Sequence, residues 1–531
     1  MNIGLRWDFR AATTSKDNHF FWRDTQNALG GLCYADKTLS TDGVAPGVGV
    51  DGHSPILRYC GSVPIPGPKT PFAPRLGLNY RLNDKTVVRG GYGIFFTSYE
   101  GREIDDSADI YPYSERFNLN PTTQNGLDTI KLSNNLFPSY STLTPFPEST
   151  LSFIAVIESE NPLDPYVQSY TLSVERELAK NTTLEVNYIG TNGTHLLNRH
   201  DIAQQLDIPS SSLALCQQQD ASGVYFNAFG DATHKAIAPC SVASRLPYPN
   251  FNGTYIDSDF HGSSHYNAGN VKFEHRAGDL AVTSVYTWAK SLDNKSATAG
   301  AGASATGYEG FMDNSRPALD YGRSDFDVPQ RFVASYVYNL PIGRGKKYAA
   351  GINHAADLAI GGWELTGILT LQKGFPYEVT APDIQGITGS GGMRANIIPG
   401  CKLGTDTQGY SGQLKQFFRL NQACFTGPAF GTYGNSSRNF LTMPGINDWD
   451  MGVGKAFSIT ERAKFVFKAD FFNVFNHYQY AQDVGGLLVA GSGGNQPIQA
   501  GVGSTNFGLI GGGGSAASAP RIIQLGGKIT F

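Results

Sequence analysis

The sequence predicts an all-β fold, an antiparallel transmembrane β-barrel of about twelve strands. Three observations predict this fold. Strand-length segments alternate bulky apolar residues with polar or charged ones, which is the two-residue period of a sheet. Short turns join these segments in pairs, and long polar stretches separate the pairs. The sequence contains no apolar run of the roughly 18 residues that a membrane helix requires.

The composition supports the same fold class. Charged residues make up 16% of the 531 residues, below the roughly 25% of soluble domains, and there are 26 Tyr, 32 Phe and 63 Gly. The mean hydropathy of −0.24 excludes a helical membrane protein but suits spans that are only half apolar. The net charge of −4 gives no basic footprint for nucleic acid, so we predict no nucleic-acid partner.

The clearest alternation lies at the end of the chain. In Ala463–Phe475, the residues Phe465, Phe467, Ala469 and Phe471 fall on one face, while Lys464, Lys468 and Asp470 fall on the other. The last residues, PRIIQLGGKITF, repeat the pattern to the final position. We predict that the apolar face meets lipid and that the polar face lines a lumen. The residues predicted to face lipid are Phe465, Phe467, Phe471, Ile529 and Phe531.

The remaining strands are predicted in order along the chain. Ile3, Leu5 and Trp7 alternate with polar residues or glycine, so the chain is expected to begin inside a strand. Five hairpins follow, each with a turn that contains Gly, Asn, Asp, Pro or Ser. They are Pro74–Leu82 with Thr86–Phe96, Tyr166–Leu178 with Thr182–Gly190, Asn267–Arg276 with Leu280–Lys290, Arg331–Leu340 with Gly362–Lys373, and Trp449–Phe457 with Ala463–Phe475.

Long polar segments connect the hairpins. They span 11–73, 98–165, 192–265, 291–329, 374–447 and 476–519 and are rich in Gly, Ser, Asn and Pro. Loops of this length are unusual in compact domains and are generally functional or disordered. Outer-membrane barrels have short turns at the periplasmic end and long loops at the extracellular end. We therefore predict that the short turns of this chain are periplasmic and that its long segments are extracellular loops that bind a ligand.

All six cysteines lie in these long segments, two in each of three. Six cysteines allow fifteen pairings, and the local one requires no loop to reach another. It joins Cys33 to Cys60, Cys216 to Cys240 and Cys401 to Cys424. This placement predicts disulfides and an oxidising compartment. Metal binding or free thiols are the alternative, although no pair has the C-x-x-C spacing of many metal sites.

The run GNSSRNFLTMPGINDWDMGVGKAFSITERAKFVFKADFFNVFNHYQY resembles the last barrel hairpin of TonB-dependent outer-membrane receptors. It is most similar to the Oar-like group, which has an N-terminal carboxypeptidase-regulatory-like domain and is abundant in acidobacteria. The segments FAPRLGLNYRLNDKTVVRGGYGIFF and YGRSDFDVPQRFVASYVYNLPIGRG resemble other parts of that barrel. The resemblance extends over nearly the whole chain and is weakest in the long loops.

The resemblance implies energy-coupled uptake of a scarce or bulky nutrient across the outer membrane of a Gram-negative bacterium, with no cofactor and no catalysed reaction. The implied partners are membrane lipid, a small-molecule, glycan or peptide ligand, and the TonB complex, which is reached through a missing N-terminal region. Such a barrel has about 22 strands. Residues 1–531 are expected to supply its C-terminal portion, without a signal peptide or plug.

Other local features have weaker functional interpretations. Asp105, Asp106 and Asp109 could bind Ca²⁺ through oxygen ligands, although their spacing is not that of an EF-hand and a solvated loop is the simpler explanation. Asp325 and Asp327, with the nearby Arg323 and Arg331, resemble a carboxylate site, but charges at the start of a strand more often form rim salt bridges. Four tryptophans at strand ends or within spans favour an interfacial girdle. They are Trp7, Trp288, Trp363 and Trp449.

Three alternatives to active uptake remain at this stage. A passive porin-like or structural barrel would conduct steadily without a plug. A soluble all-β binding protein, such as a lectin-like sandwich, would remain in water without detergent. A non-functional fragment of a longer receptor would neither insert nor transport by itself.

Overall fold

The computed structural model describes most of the predicted strands and about half of the loop residues. The described residues are 1–8, 18–36, 57–61, 71–97, 123–124, 127–128, 153–157, 163–249, 254–296, 311–381, 383, 393–403, 417–418, 420–442, 445–460, 462–477, 498–499, 509–510 and 520–531.

Twelve antiparallel strands form one continuous hydrogen-bonded ladder, in which each strand pairs with the next along the chain. The ladder confirms the predicted all-β fold class and the number of strands. The strands are β1 Asn2–Trp7, β2 Phe72–Asn83, β3 Thr86–Phe96, β4 Tyr166–Ala179, β5 Thr182–Asp201, β6 Thr254–Ala277, β7 Leu280–Asp293, β8 Gln330–Asn339, β9 Trp363–Gln372, β10 Ile446–Ser458, β11 Lys464–Phe472 and β12 Ile522–Thr530.

The register of the ladder separates an apolar face from a polar one. Phe465 of β11 lies opposite Phe457 of β10 and Ile529 of β12, and the two phenyl rings are stacked 6.1 Å apart. The neighbouring row places Lys528 opposite Val466. Because side chains alternate across a strand, the first row continues as an apolar outer face and the second belongs to a polar inner wall.

The two end strands are not paired with each other in the part of the chain that the structure describes. β1 pairs only with β2, and β12 pairs only with β11. Every residue of both strands is exposed. The described ladder is therefore a wall with two open edges.

Two strands are much longer than the sequence predicted. β5 has 20 residues and β6 has 24, about twice the ten or so that a membrane strand needs. The halves of β5 and β6 on the long-loop side, here called their upper halves, are 191–201 and 254–266. They were predicted to be loop because both faces are polar and no alternation marks them. The strand Phe153–Ile157 runs parallel to β6 and extends the sheet beside it.

One strand ends earlier than predicted. β11 was expected to continue to Phe475 but stops at Phe472. Asn473 and Asn476 have φ angles of 48° and 53°, in the left-handed region that asparagine tolerates better than most residues. The chain therefore turns at Asn473, and the ring of Phe475 packs 5.5 Å from that of Trp449.

The long segments contain short strands and single helical turns. The helices of the long segments are α1 Leu213–Cys216 and α2 Phe226–Phe229, with 3₁₀ turns at Ser210–Ser212, Ala243–Arg245, Pro317–Asp320 and Gln422–Cys424. A longer helix, α3 His354–Ile360, lies in the turn between β8 and β9. No helix within the described residues is long and apolar enough to cross a membrane. The short strands are Phe21–Arg23, Leu32–Tyr34, Leu57–Tyr59, Thr123–Gln124, Leu127–Asp128, Phe153–Ile157, Gly322–Arg323, Pro376–Tyr377, Thr380–Ala381, Met393–Arg394, Asn396–Ile397, Phe417–Phe418, Phe425–Thr426, Leu441–Thr442, Ile498–Gln499 and Leu509–Ile510.

Candidate functional site

The inner wall of β6 to β11 encloses a cavity of about 590 Å³. Its lining combines hydroxylic and charged side chains with apolar ones, among them Val337, Ile368 and Phe472. Lys468 and Asp470 form an ion pair of 3.0 Å within it. Residues lining the cavity include Arg276, Thr283, Ser335, Thr366, Asp450 and Asp470.

The loops on the long-loop side form a packed unit, here called the loop cap, which comprises the described residues of 202–249, 294–296, 311–329 and 373–445. Its larger core contains Met312 from one loop and Val379, Met393 and Phe425 from another. A second core joins Ile208 and its neighbours to Phe430. Hydrophobic burial therefore fixes three loops to one another.

Hydrogen bonds between loops reinforce these cores. Gln204 donates to the carbonyl of Met312 (2.9 Å) and accepts from the backbone of Asn314 (2.7 Å). The hydroxyl of Tyr433 donates to Asp207 (2.8 Å). Burial and the Asp207 carboxylate raise the pKa of Tyr433, so this hydroxyl stays protonated and remains a donor.

A buried arginine connects the cap to the rim of the wall. Arg438 pairs with Asp293 at the end of β7 (2.6 Å) and with Asp325 (3.0 Å), and also donates to Ser296 (2.6 Å). Burial alone would lower the pKa of Arg438, but the carboxylates of Asp325 and Asp293 raise it. Asn439 donates to the same Asp325 (2.6 Å), so two consecutive residues hold one carboxylate.

The predicted group of Arg323, Asp325, Asp327 and Arg331 is only partly assembled. Arg323 pairs with Asp327 at 2.8 Å, and Asp327 also accepts from the backbone of Ser291 at 2.7 Å. Arg331 lies in β8 and forms no ion pair with the described residues. These contacts are rim salt bridges of the kind the sequence favoured, not a pair of carboxylates free to act on a substrate.

A second buried charge pair lies deeper in the cap. Arg394 forms an ion pair with Asp320 and donates to the carbonyl of Leu319 (2.9 Å). Nearby, Oε2 of Glu378 is enclosed and has no hydrogen-bond partner among the described residues. Burial raises the pKa of Glu378, although Arg394 and Arg438 oppose that shift.

The three disulfides of the structure are the three predicted pairs. Cys33 bonds to Cys60, Cys216 to Cys240 and Cys401 to Cys424, across 27, 24 and 23 residues. The sulfurs of Cys216 and Cys240 belong to one cap core, and Cys424 belongs to the other. Two of the bonds therefore act together with hydrophobic packing.

The first disulfide lies outside the cap, beside the upper half of β6. Arg58 donates two hydrogen bonds to Asp24, of 2.7 and 2.5 Å, and holds the pKa of that carboxyl below its usual value. Arg23 reaches Asp257 of β6 at 3.0 Å. These pairs attach the segment that carries Cys33 to the extended hairpin.

The five predicted lipid-facing residues share one face. Phe465, Phe467 and Phe471 lie on the outer face of β11, and Ile529 and Phe531 continue it at the chain end, where they are 59% and 96% exposed. Their contact with lipid stays a prediction.

The predicted calcium ligands Asp105, Asp106 and Asp109 lie outside the described residues, so that site also stays a prediction. Among the residues that the structure does describe, no three His, Cys, Asp or Glu side chains are grouped as metal ligands.

Sequence reasoning missed the cap residues that carry the buried charge. Arg394 and Glu378 stand in a polar segment without a motif, and Arg438 lies in the run that resembles the last barrel hairpin, where nothing marked it as a buried cation. Their partners are more than 70 residues away for Arg394 and more than 110 for Arg438. Among the features of the sequence, only the cysteine positions marked part of these loops as structured.

The wall consists of antiparallel strands joined by short turns on one side. Its outer face is apolar, and its inner face carries polar and charged groups. This arrangement is characteristic of a membrane β-barrel. The sequence matches the family described as outer membrane beta barrel domain over residues 1–524, and the chain belongs to that family. The predicted outer-membrane location is thereby confirmed.

Among solved structures, the chain is similar to the outer membrane transporter YddB from Escherichia coli, with 10% identity and a TM-score of 0.37 over 87% of this chain and 40% of that one. It is also similar to the ferripyoverdine receptor of Pseudomonas aeruginosa, with 10% identity and a TM-score of 0.37 over 88% of this chain and 34% of that one. A third similar structure is BauA, the ferric preacinetobactin receptor of Acinetobacter baumannii, with 10% identity and a TM-score of 0.35 over 88% of this chain and 37% of that one. The chain spans about two fifths of the length of YddB, and a smaller share of the length of each of the two receptors. No curated protein matches the sequence.

Proposed function

We propose that this chain forms part of the barrel of a TonB-dependent outer-membrane transporter that takes up a scarce or bulky polar nutrient. In this proposal the loop cap binds the ligand, and the ligand then passes along the inner wall. The resemblance of the last hairpin to the Oar-like group supports the assignment, as does membership of the outer-membrane barrel family.

The observation that carries the proposal is the contrast between the two faces of one sheet. The outer face is apolar, whereas the inner wall presents hydroxyls and the Lys468–Asp470 pair to a cavity of about 590 Å³. A catalytic site would require polar groups free to react, but three arginines of the described cap, Arg323, Arg394 and Arg438, are engaged in ion pairs. An inner wall that carries hydroxyl and charged groups is suited to the passage of a hydrated solute.

Energy coupling is the part of the proposal that a cellular experiment tests. The gene with its upstream region would be expressed in a Gram-negative host, which is offered a panel of labelled metal chelates, oligosaccharides and peptides. We expect uptake of one class that stops when a protonophore dissipates the proton-motive force. Uptake that continues unchanged would replace this proposal with a passive pore.

A variant in the cap and a variant in the inner wall together separate the binding of the ligand from its passage through the barrel. Arg438→Met should weaken binding of that ligand to cells, because the cap loses its link to the wall. Lys468→Gln should leave binding intact and slow uptake, because the change lies in the inner wall. If neither variant alters the uptake of a solute that the wild-type protein carries, the proposed route is wrong.

A further inference from the structure

The turn between β8 and β9 differs from the other turns on its side of the wall. It spans residues 340–362 and contains the helix α3. The side chain of Asn353 caps the helix by accepting from the backbone of Ala356 (2.8 Å). Asp357 accepts from the backbone of Arg344 at 2.7 Å, which ties the helix back to the start of the turn. The turn is therefore a folded element with its own internal bonds.

Two glycines allow this compact shape. Gly343 has a φ of 132°, and a Cβ there would lie 2.7 Å from Asp357 and 2.9 Å from Gly361. A Cβ on Gly361 would lie 2.1 Å from the same aspartate. The two ends of the turn approach each other at a distance that only glycine permits.

The helix α3 lies against the outer face of the wall. Lys455 stands opposite Trp363 and Phe467 in the register, on the same face as the predicted lipid-facing residues. The indole of Trp363 donates to the carbonyl of Ala359 (2.9 Å), and the ammonium of Lys455 donates to that of Leu358 (2.6 Å).

This contact explains a lysine that is only 5% exposed on an apolar face. The C-terminal end of a helix carries partial negative charge, which stabilises a nearby cation. The ring of Trp363 lies 5.2 Å from the ammonium of Lys455, and that of Phe457 lies 5.0 Å away, which adds cation–π attraction.

The rest of the turn exposes both apolar and basic side chains. Leu358 and Ile360 are 44% and 48% exposed, and Tyr348 is 55% exposed. The exposed basic residues are Arg344, Lys346 and Lys347. The acidic side chains facing them are Asp357, which is occupied by the backbone of Arg344, and Asp279 of the neighbouring turn, which is 3.7 Å from Lys346.

We propose that this turn, the rim anchor (residues 340–362), sits in the headgroup layer of the periplasmic leaflet and binds the phosphate of anionic phospholipids. The lipid is the occupant because the anchor continues the outer face and rests on Trp363. Exposed apolar side chains beside clustered cations are the composition of elements that lie in a membrane interface. This function is separate from transport and rests only on the outer-membrane location.

The test uses the full chain in phosphatidylcholine vesicles that contain either brominated phosphatidylglycerol or, in parallel, brominated phosphatidylcholine. The quenching of Trp363 is obtained as the difference between wild-type protein and Trp363→Phe. We expect phosphatidylglycerol to quench more strongly at equal mole fraction. In the triple variant Arg344→Gln, Lys346→Gln, Lys347→Gln, this preference should fall by at least about fivefold, which is the factor that a single basic residue near the membrane surface contributes.

The matched control neutralises three exposed basic residues in other turns on the same side: Lys85→Gln, Lys180→Gln and Arg462→Gln. It should keep the preference, and all variants should show the gel-mobility shift of a folded barrel. Equal quenching by the two lipids, or a preference that survives the triple variant, would overturn the proposal. Inorganic phosphate should not compete; competition at millimolar phosphate would mean a soluble anion site instead.

Discussion

Arg438 shows what a buried cation contributes to the loop cap. Removing a guanidinium from water is unfavourable, and the pairs with Asp293 and Asp325 offset that cost. Asp293 is only 1% exposed, so it depends on the arginine as much as the arginine depends on it. The pair therefore specifies where the 373–445 loop meets β7.

Arg438→Met should destabilise the cap by about 3–5 kcal/mol, because a buried carboxylate is left without its partner. The measurement is the urea concentration at which an added protease begins to cut the cap of the vesicle-inserted protein. Arg462→Met, in an exposed turn, should change the stability of the cap by no more than about 0.5 kcal/mol and should leave that urea concentration almost unchanged. Equal midpoints for the two variants would show that the Arg438 pairs are not structurally important.

Glu378 should make the cap sensitive to pH. A carboxyl with a raised folded pKa binds more protons in the folded state, so stability falls as pH rises from the unfolded value of 4.5 through the raised value. Glu378→Gln should remove this decline and protect the cap from protease at pH 7 more than at pH 4. Asp84→Asn, at a side chain that is 94% exposed, is the control. A wild-type cap whose protection does not fall across this range would contradict the assignment.

The strands show where periodicity was sufficient and where it failed. Alternation located all five hairpins, because each has one apolar face that water would penalise. It missed the upper halves of β5 and β6, since a strand outside the membrane needs no apolar face. It also extended β11 through Asn473, where the backbone turns although the aromatic pattern continues.

The assignment of faces leads to a paired test within β11 and β12. Phe471 lies on the outer face, next to Ile523, whereas Gln524 lies on the inner wall, opposite Asp470. Phe471→Lys should reduce the stability of the inserted protein by about 1–4 kcal/mol, because a lysine on the lipid face carries a cost that depends on its depth in the bilayer. Gln524→Lys should change it little. Comparable losses from both substitutions would mean that the outer face does not meet hydrocarbon.

For the molecule as a whole, predictability follows the distance over which contacts form. The ladder joins strands that follow one another in the chain, so local turn chemistry and a two-residue period were sufficient to place it. The disulfides span 23 to 27 residues and also followed from local pairing. The cap depends on contacts such as Asp207 with Tyr433, 226 residues apart, for which a single sequence carries no pattern.

The six native cysteines are all bonded, so a single introduced cysteine is the only thiol in the molecule. Ser335 and Ala334 are neighbours in β8; Ser335 lines the cavity, and Ala334 stands opposite Leu369 on the outer face. In vesicles, Ser335→Cys should react with a charged, water-soluble maleimide at least about tenfold faster than Ala334→Cys, because lipid excludes the reagent from the outer position. Both should react alike once the protein is unfolded in urea. Faster labelling of Ala334→Cys would reverse the faces, and equal labelling in the vesicle would mean that water reaches both sides of the sheet.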